Sequence, residues 1–474
     1  MLNILHDCLE WAQMEFAAAK LGDARRTKRL VKVAGALAKG SKGVLTESLD
    51  SWAELKAGYR LFSNEHVTHQ SVLTPHFQRT LQSCCQPGEY LLIEDGSDLD
   101  FSGHRLTRGL GRTGNDGGYG MLLHTNLAAR VHHWQLDHTP QVSLMGLLDQ
   151  QCWVRTHPSR RKQKERWRKR MERARESQYW AAALSRLPKD KPAGVQWIYV
   201  ADRESDIYEA FERALQQQCE CIIRAQHARA LADEDQTAFA AVGQAPVLGR
   251  FDLELRTRPG VAARVAKLEV RSRAVTIRGV ERPGGRRPDL KLNMVEVREI
   301  EPPAHVEPIH WILFTTLPVE TFEQARRVAS RYAQRWLIEE YHKALKTGVQ
   351  MEKSQLETAK GLQALLGVLA VVAARLLNTR LLAHLTPHEP IEAHTLSPEA
   401  LAILNARFEQ PKEGWTYQSL IIALARLGGF VGRKSDGLPG WITLWRGMQR
   451  LTTMVAGVLA LAGARTVRKA KTCG

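Results

Sequence analysis

Between Tyr332 and Gly348 the chain reads YAQRWLIEEYHKALKTG, in which a phenol, an acid and three bases recur at helical spacing. With Glu339 at zero and about 100° per residue, Tyr332 falls at about +20°, Arg335 at about −40°, Lys343 at about +40° and Lys346 at about −20°. The five side chains then share an arc of roughly 80°. Ala333, Leu337, Ile338, Tyr341, Ala344 and Leu345 turn the other way, toward a core. One carboxylate ringed by three cations and a phenol is the equipment of a site that handles phosphate and metal. Taken by itself, the stripe suits a solvated face better, with Glu339 and Lys343 as an ordinary helical pair worth about 0.2–0.5 kcal/mol.

Two further carboxylates change the balance. The apolar run EYLLIED (89–95) reads as a buried strand whose two acids emerge at its C-terminal end, and VQWIYVAD (195–202) is a second strand running into Asp202. Alone, Asp95 or Asp202 reads as a solvated strand end or a helix cap. Together with Glu339 they form a set: two strand-end aspartates and one helical glutamate, with bases beside the glutamate to hold phosphates. Two divalent ions about 3.5–4 Å apart need hard oxygen ligands converging from different elements, and this set supplies them.

The elements that must position these groups follow an α/β rhythm. Residues 1 to about 70 read as a small helical unit. In it LGDARRTKRLVKVAGALAKG (21–40) starts at Asp23 as N-cap and carries Arg25, Arg26, Lys28, Arg29, Lys32 and Lys39. GYGMLLHTNLAARV and PQVSLMGLLDQ read as the next two strands, a helical stretch follows at about 165–187, and CECIIRA (219–225) is another strand. A β-rich passage from about 248 to 300 looks like an inserted sheet, and HWILFTT (310–316) resumes the core. One long helix from about 319 to 347 then carries the opening motif. The remainder is helical, and LWRGMQRLTTMVAGVLAL (444–461) places Leu444, Met448, Leu451, Val455 and Leu459 on one face that needs a partner.

Composition restricts the function. The 474 residues are 44% hydrophobic and 25% charged, as expected of a soluble multidomain protein, and the net charge of +17 attracts polyanions, nucleic acid first. The longest apolar run, ALLGVLAVVAA (364–374), is too short to span a bilayer and reads as a buried helix. MLNILHDCLEWAQMEF has acids where an export signal needs an apolar core, so no export is expected. Seven cysteines without a Cys-x-x-Cys pair point to free thiols in a reducing cytoplasm. The histidines of HTNLAARVHHWQLDH (124–138) alternate in strand-like sequence and face opposite ways, so they make no zinc site.

The sequence resembles the bacterial cut-and-paste transposases with a DDE triad, of the insertion-sequence-four group. The likeness runs almost end to end, through LGDARRTKRLVKVAGALAK, IED (93–95), ADRESDIY (201–208) and RLGGF (426–430). Its most specific element is Tyr-x2-Arg-x3-Glu-x6-Lys, met by Tyr332, Arg335, Glu339 and Lys346. The resemblance implies an α/β protein with a ribonuclease-H-like catalytic core at 71–375, holding an inserted β-rich subdomain at about 240–305. A helical DNA-binding domain (1–70) and a helical dimerisation domain (376–474) flank it. Asp95, Asp202 and Glu339 would be the catalytic metal-binding triad, taking two Mg2+ ions with Mn2+ as a substitute. Tyr332, Arg335, Lys343 and Lys346 would hold phosphates, and Trp311, which otherwise reads as a core residue, would stack a flipped base with Trp336 close by. Arg25, Arg26, Arg29, Lys39 and Arg60 would touch the terminal inverted repeat.

Three departures from the family pattern stand out: a spare acid at Asp98, a run of eleven Lys and Arg between Arg155 and Arg175, and a basic C-terminus RTVRKAKTCG. The implied activity is cleavage of element ends through a hairpin and joining of the 3′-ends to target DNA. The partners would be double-stranded DNA and a second copy of the chain, with no membrane, in a bacterial cytoplasm on the nucleoid. Two alternatives stay open: a DNA-binding inhibitor of transposition without catalysis, and a metal-dependent nuclease that does not join strands.

Overall fold

The computed structural model describes residues 8–39, 44–114, 117–134, 140–155, 179–255, 264–282, 284–391, 396–409, 411–433 and 439–472. Most of the basic run (156–177), most of the helical stretch expected around 165–187 and the end of the basic C-terminus lie outside them.

Five helices open the chain: α1 (Cys8–Phe16), α2 (Ala24–Lys39), α3 (Leu45–Ser48), α4 (Trp52–Phe62) and α5 (His69–Cys84). Asp23 caps α2, its Oδ1 accepting from the Arg25 N–H at 2.8 Å. Leu30, Val33, Ala34 and Leu37 recur on one face of α2 and are buried, which turns the bases outward.

The core is one mixed sheet of ten strands. β1 (Gly88–Asp100), β2 (Gly111–Thr113), β3 (Gly118–His133) and β4 (Gln141–Trp153) come first. β5 (Val195–Ala201), a 3-10 turn at Arg203–Ser205, α6 (Tyr208–Gln216), β6 (Glu220–Arg224) and α7 (Ala238–Gly243) follow. Then come β7 (Val247–Leu255), β8 (Arg264–Ile277), the short pair β9 (Glu281–Arg282) and β10 (Gly285–Arg286), β11 (Leu290–Glu299) and β12 (His310–Thr315). The order across the sheet is β2-β3-β1-β5-β6-β12-β11-β8-β7, with β4 on the far side of β3. β1–β5 and β5–β6 are parallel and the other pairs antiparallel. The inserted strands therefore do not build a separate sheet: β12 bonds to β6 on one side and β11 on the other, so β7, β8 and β11 widen the core sheet at its edge.

Alternation sorts the central strands into two cores. Leu91 and Ile93 of β1 with Ile198 and Val200 of β5 face one, and Tyr90 and Leu92 with Tyr199 and Ala201 face the other. Such strands are apolar on both faces, which is why they read as unbroken hydrophobic runs.

The long helix expected over 319–347 is interrupted. α8 (Phe322–Ala333) starts with a Thr321–Gln324 capping box and α9 (Trp336–Lys343) follows, the joint being a tightened turn in which Leu337 and Ile338 N–H groups reach the carbonyls of Gln334 and Arg335. A π turn (Ala344–Gly348) then widens the last coil. Next comes α10 (Ala359–Leu385), which at 27 residues is longer than the apolar run singled out in the sequence and is apolar enough to cross a membrane by length and composition. It lies instead against β4 and α5 with Leu362, Leu366 and Leu369 fully buried, and truncating one such leucine to alanine costs about 2–5 kcal/mol. Residue 375, the expected edge of the core, falls inside this helix.

α11 (Pro398–Arg407), α12 (Tyr417–Leu427) and α13 (Trp441–Thr472) close the chain. The apolar stripe of α13 is only partly free. Leu444 and Leu451 are buried among α11 and α12, whereas Val458, Leu459 and Leu461 are exposed at 44%, 51% and 67%. Gly428 and Gly447 permit the close crossing of α12 and α13, since a Cβ on Gly447 would overlap the Leu424 carbonyl.

Candidate active site

Strand register brings the two aspartates together. β1 and β5 run parallel with Ile93 opposite Val200 and Glu94 opposite Ala201, so Asp95 is next to Asp202 one strand spacing away, about 4.8 Å. Both follow the parity of Ile93 and Val200 and face the core that α8 and α9 cover. Glu94 follows the opposite parity and is fully buried. Its Oε1 accepts from the Tyr199 hydroxyl at 2.6 Å and the Ala181 N–H at 2.8 Å. The expectation that both acids of IED emerge is thus corrected: one holds the sheet, the other the site. β1 also runs five residues past Asp95, and alternation turns Asp98 away from the Asp95 face.

Three clamps aim α8 and α9 at this point. Arg331 of α8 pairs with Glu89 at the start of β1, its Nε 2.9 Å from Oε1. Arg380 of α10 donates to both oxygens of Glu340 at 2.9 and 3.0 Å, and Gln150 of β4 donates to the Tyr341 hydroxyl at 2.9 Å. With its far side fixed, α9 presents Glu339 to the strand ends.

Arg335, at the joint between α8 and α9, occupies the centre. Its guanidinium donates to Asp95 Oδ2 at 2.9 Å and to Glu339 Oε1, and lies 3.8 Å from Asp202 Oδ2. The Tyr332 hydroxyl donates to Asp202 Oδ1 at 3.3 Å, and the Arg203 N–H to the same oxygen at 2.8 Å. Trp311 of β12 meets the Tyr332 ring edge-on, with centroids 5.2 Å apart. Burial pushes the Asp95 carboxyl up to about 6 against the pull of Arg335 and the Gly96 N–H. Burial works against the charge on Arg335, yet Tyr332, Asp202, Asp95 and Glu339 around it hold its pKa above the ordinary value. The Tyr332 phenol is likewise held high, by burial first and then by Asp202.

Of the residues expected at the site, Asp95, Asp202, Glu339, Tyr332 and Arg335 come together, and Trp311 joins them through Tyr332. The other two bases of the stripe do not reach the carboxylates. Lys343 is exposed, and Lys346, on the π turn, is half-buried with Asp100 and His342 in its field. Trp336 is 43% exposed on α9. Arg25, Arg29, Lys39 and Arg60 lie on the N-terminal helices. Arg25 is 90% exposed and paired with Asp23, Arg26 is tied to the Leu21 carbonyl at 2.8 Å, and Arg29 and Lys39 line a cleft against Trp445, Met448 and Val455 of α13. Sequence reasoning missed Arg224, whose guanidinium lies 3.8 Å from Asp202 Oδ1. A base ending a third strand, in CECIIRA, was the available signal.

The donor set suits a hard cation: three carboxylates from two strands and a helix, two of them neighbours by register. Among the described residues no group of three His, Cys, Asp or Glu has metal-ligand spacing; the Asp95 and Glu339 oxygens meet the guanidinium of Arg335. The cluster holds one cation already.

Comparison with protein families gives three matches. One, described as a transposase DDE domain, covers residues 116–374, more than half of the chain. The chain belongs to the DDE transposases. Residues 9–67, which hold most of α1 and all of α2 to α4, match a transposase DNA-binding family, and residues 382–469, which hold α11, α12 and most of α13, match the transposase Tn5 dimerisation domain. This transposase therefore binds DNA, depends on a divalent metal and forms homodimers. Asp202 and Glu339 fall within the DDE match and Asp95 precedes it; strand register is what joins Asp95 to the other two.

Proposed function

We propose that this transposase works by cut and paste: it binds the terminal inverted repeats of its element, cleaves each end through a hairpin intermediate and joins the 3′-ends to target DNA. The observation that carries the reading is the convergence of Asp95, Asp202 and Glu339 on one partly buried cation, Arg335. Residues 1–70 serve as the end-binding unit through Arg25, Arg26, Arg29, Lys39 and Arg60. Residues 71–375 form the catalytic core, and 376–474 pair two protomers, with α10 running across the joint. Asp95, Asp202 and Glu339 hold two Mg2+ ions, for which Mn2+ can substitute. When bound, the metal activates the attacking water or 3′-hydroxyl and stabilises the oxygen leaving phosphorus.

The chain's own residues do the rest. Before DNA arrives, the single positive charge of Arg335 occupies the space among the three carboxylates and offsets part of their charge. A DNA phosphate offers the guanidinium an equivalent bidentate partner, and its departure opens the carboxylates to metal. Tyr332, tied to Asp202, positions that carboxylate, while Lys343 and Lys346 bind phosphates farther along the strand. Trp311, fixed edge-on by Tyr332, stacks the base that hairpin formation turns out of the duplex. The protein acts in the bacterial cytoplasm, on the nucleoid.

Asp202→Asn and Glu339→Gln should each abolish cleavage in Mg2+ while gel-shift binding of end DNA persists, because only metal affinity is lost. Wild-type cutting by either variant removes that residue from the site. Nicks without hairpin-ended or joined product from the wild type would leave a nuclease in place of a transposition cycle.

A further inference from the structure

Among the described residues the most exposed large apolar side chain is Leu106, at 93%. It sits in SGHRLTRGLGRTG (102–114), where Arg105, Arg108 and Arg112 are exposed beside it. The loop between β1 and β2 is built to hold that tip still. Phe101 beneath it is 1% exposed and meets His104 edge-on at 5.1 Å. The N–H groups of His104 and Thr107 close two successive turns, onto the carbonyls of Phe101 and His104. On the return side the Thr107 hydroxyl donates to the Leu356 carbonyl at 2.9 Å. Arg108 N–H donates to the Glu357 carbonyl and its own carbonyl accepts from the Ala359 N–H, both at 2.8 Å. Arg108 faces one acid, Glu357, at 3.6 Å across solvent, a pair too exposed to hold the guanidinium.

The loop continues the strand that carries Asp95. From Asp95 to Asp100 is five residues, roughly 17 Å at about 3.3 Å each. Asp100 lies in the field of Lys346, so the loop stands on the same side as the lysine assigned above to DNA phosphates. Packing does not account for so exposed an apolar side chain on a loop whose backbone is tied down and which also carries three exposed arginines. Duplex DNA does, since bases bind phosphates without regard to sequence and an apolar wedge opens a base step and bends the duplex. The residues proposed above to read the terminal repeat lie on α2 and α4, and none of the proposed end contacts lies on this loop, which leaves it for other DNA.

We infer that the loop carrying Arg105, Leu106, Arg108 and Arg112 is a target-DNA contact, with Leu106 as the wedge that bends the target toward the triad. The inference rests on the strand-joining activity proposed above. The test uses the full chain with precut end DNA and supercoiled plasmid as target. Arg105→Gln with Arg108→Gln should lower joining about tenfold or more and flatten the slope of log binding against log salt for target capture by about two units. Leu106→Ser, harmless to folding at so exposed a position, should lower joining and shift the insertion sites used. Excision from an uncut donor should stay within twofold of wild type in both variants. Unchanged joining overturns the inference. So does a loss of excision with normal joining of precut ends, which would assign the loop to flanking DNA. If the wild type itself fails to join precut ends, it is the proposed activity that falls.

Discussion

Replacing Arg335 by Gln should make the DNA-free protein bind metal better while making it a worse enzyme. In the wild type the guanidinium donates to Asp95 at 2.9 Å and to Glu339, with Asp202 at 3.8 Å, and a divalent ion must displace it. A hydrogen bond between charged groups contributes about 1.5–3 kcal/mol, so two contribute about 3–6 kcal/mol before solvent is considered. The carboxylates of Asp95 and Glu339 keep 23% and 33% of their exposure, which places the net value at the lower end. At about 1.36 kcal/mol per decade, roughly 3 kcal/mol makes Mn2+ bind about 100-fold more tightly to Arg335→Gln than to wild type. Free Mn2+ measured by electron paramagnetic resonance during titration of DNA-free protein reads this directly, without turnover. Arg335→Lys, which keeps the charge but not the planar fork, should fall between. Adding end DNA should raise the wild-type affinity toward that of Arg335→Gln and change the variant little. Equal Mn2+ affinity of wild type and Arg335→Gln without DNA would refute the displacement argument, and the guanidinium would then be a bystander to metal binding.

Three other outcomes follow from the same geometry. Base–aromatic stacking is worth about 1–3 kcal/mol, so Trp311→Ala should slow hairpin formation by about 5- to 150-fold and first-strand nicking much less; equal slowing of both with a lowered Tm would assign Trp311 to packing against Tyr332. Burial raises the Asp95 carboxyl to about 6, so the proton competes with metal below that pH and not above it; cleavage at limiting Mg2+ should fall as pH drops through 6, and a profile flat down to pH 5 would contradict this. Ending the chain at residue 456 removes the exposed Val458, Leu459 and Leu461 but keeps Leu444 and Leu451 buried; gel filtration with end DNA should show single-end complexes only, and paired complexes that persist would place the dimer surface elsewhere.

Much of the site was legible in one dimension because its parts obey short-range rules. Buried parallel strands demand continuous apolar runs, so EYLLIED and VQWIYVAD announce themselves, and Asp95 and Asp202 at the ends of those runs mark the acids that reach the site. The Tyr332, Arg335, Glu339 spacing is a local period, and it survived a break in the helix because the joint at Gln334 and Arg335 tightens without unwinding. Local rules also put the bases of α2 outward. What they leave open is anything that depends on register or on a neighbour distant in sequence. That Asp95 stands beside Asp202 follows from a β1–β5 pairing across about a hundred residues, and the burial of Glu94 from which core its parity happens to face. The period-3.6 wheel also carried Lys346 toward the carboxylates, whereas the chain there is a π turn, and Lys346 makes no ion pair with the three carboxylates among the described residues. Composition named a basic, DNA-seeking chain, and local motifs named its three carboxylates. Only the tertiary structure decided that Arg335 stands in the middle of that triad, because a guanidinium finds three carboxylates only once two strands and a helix have been packed around it.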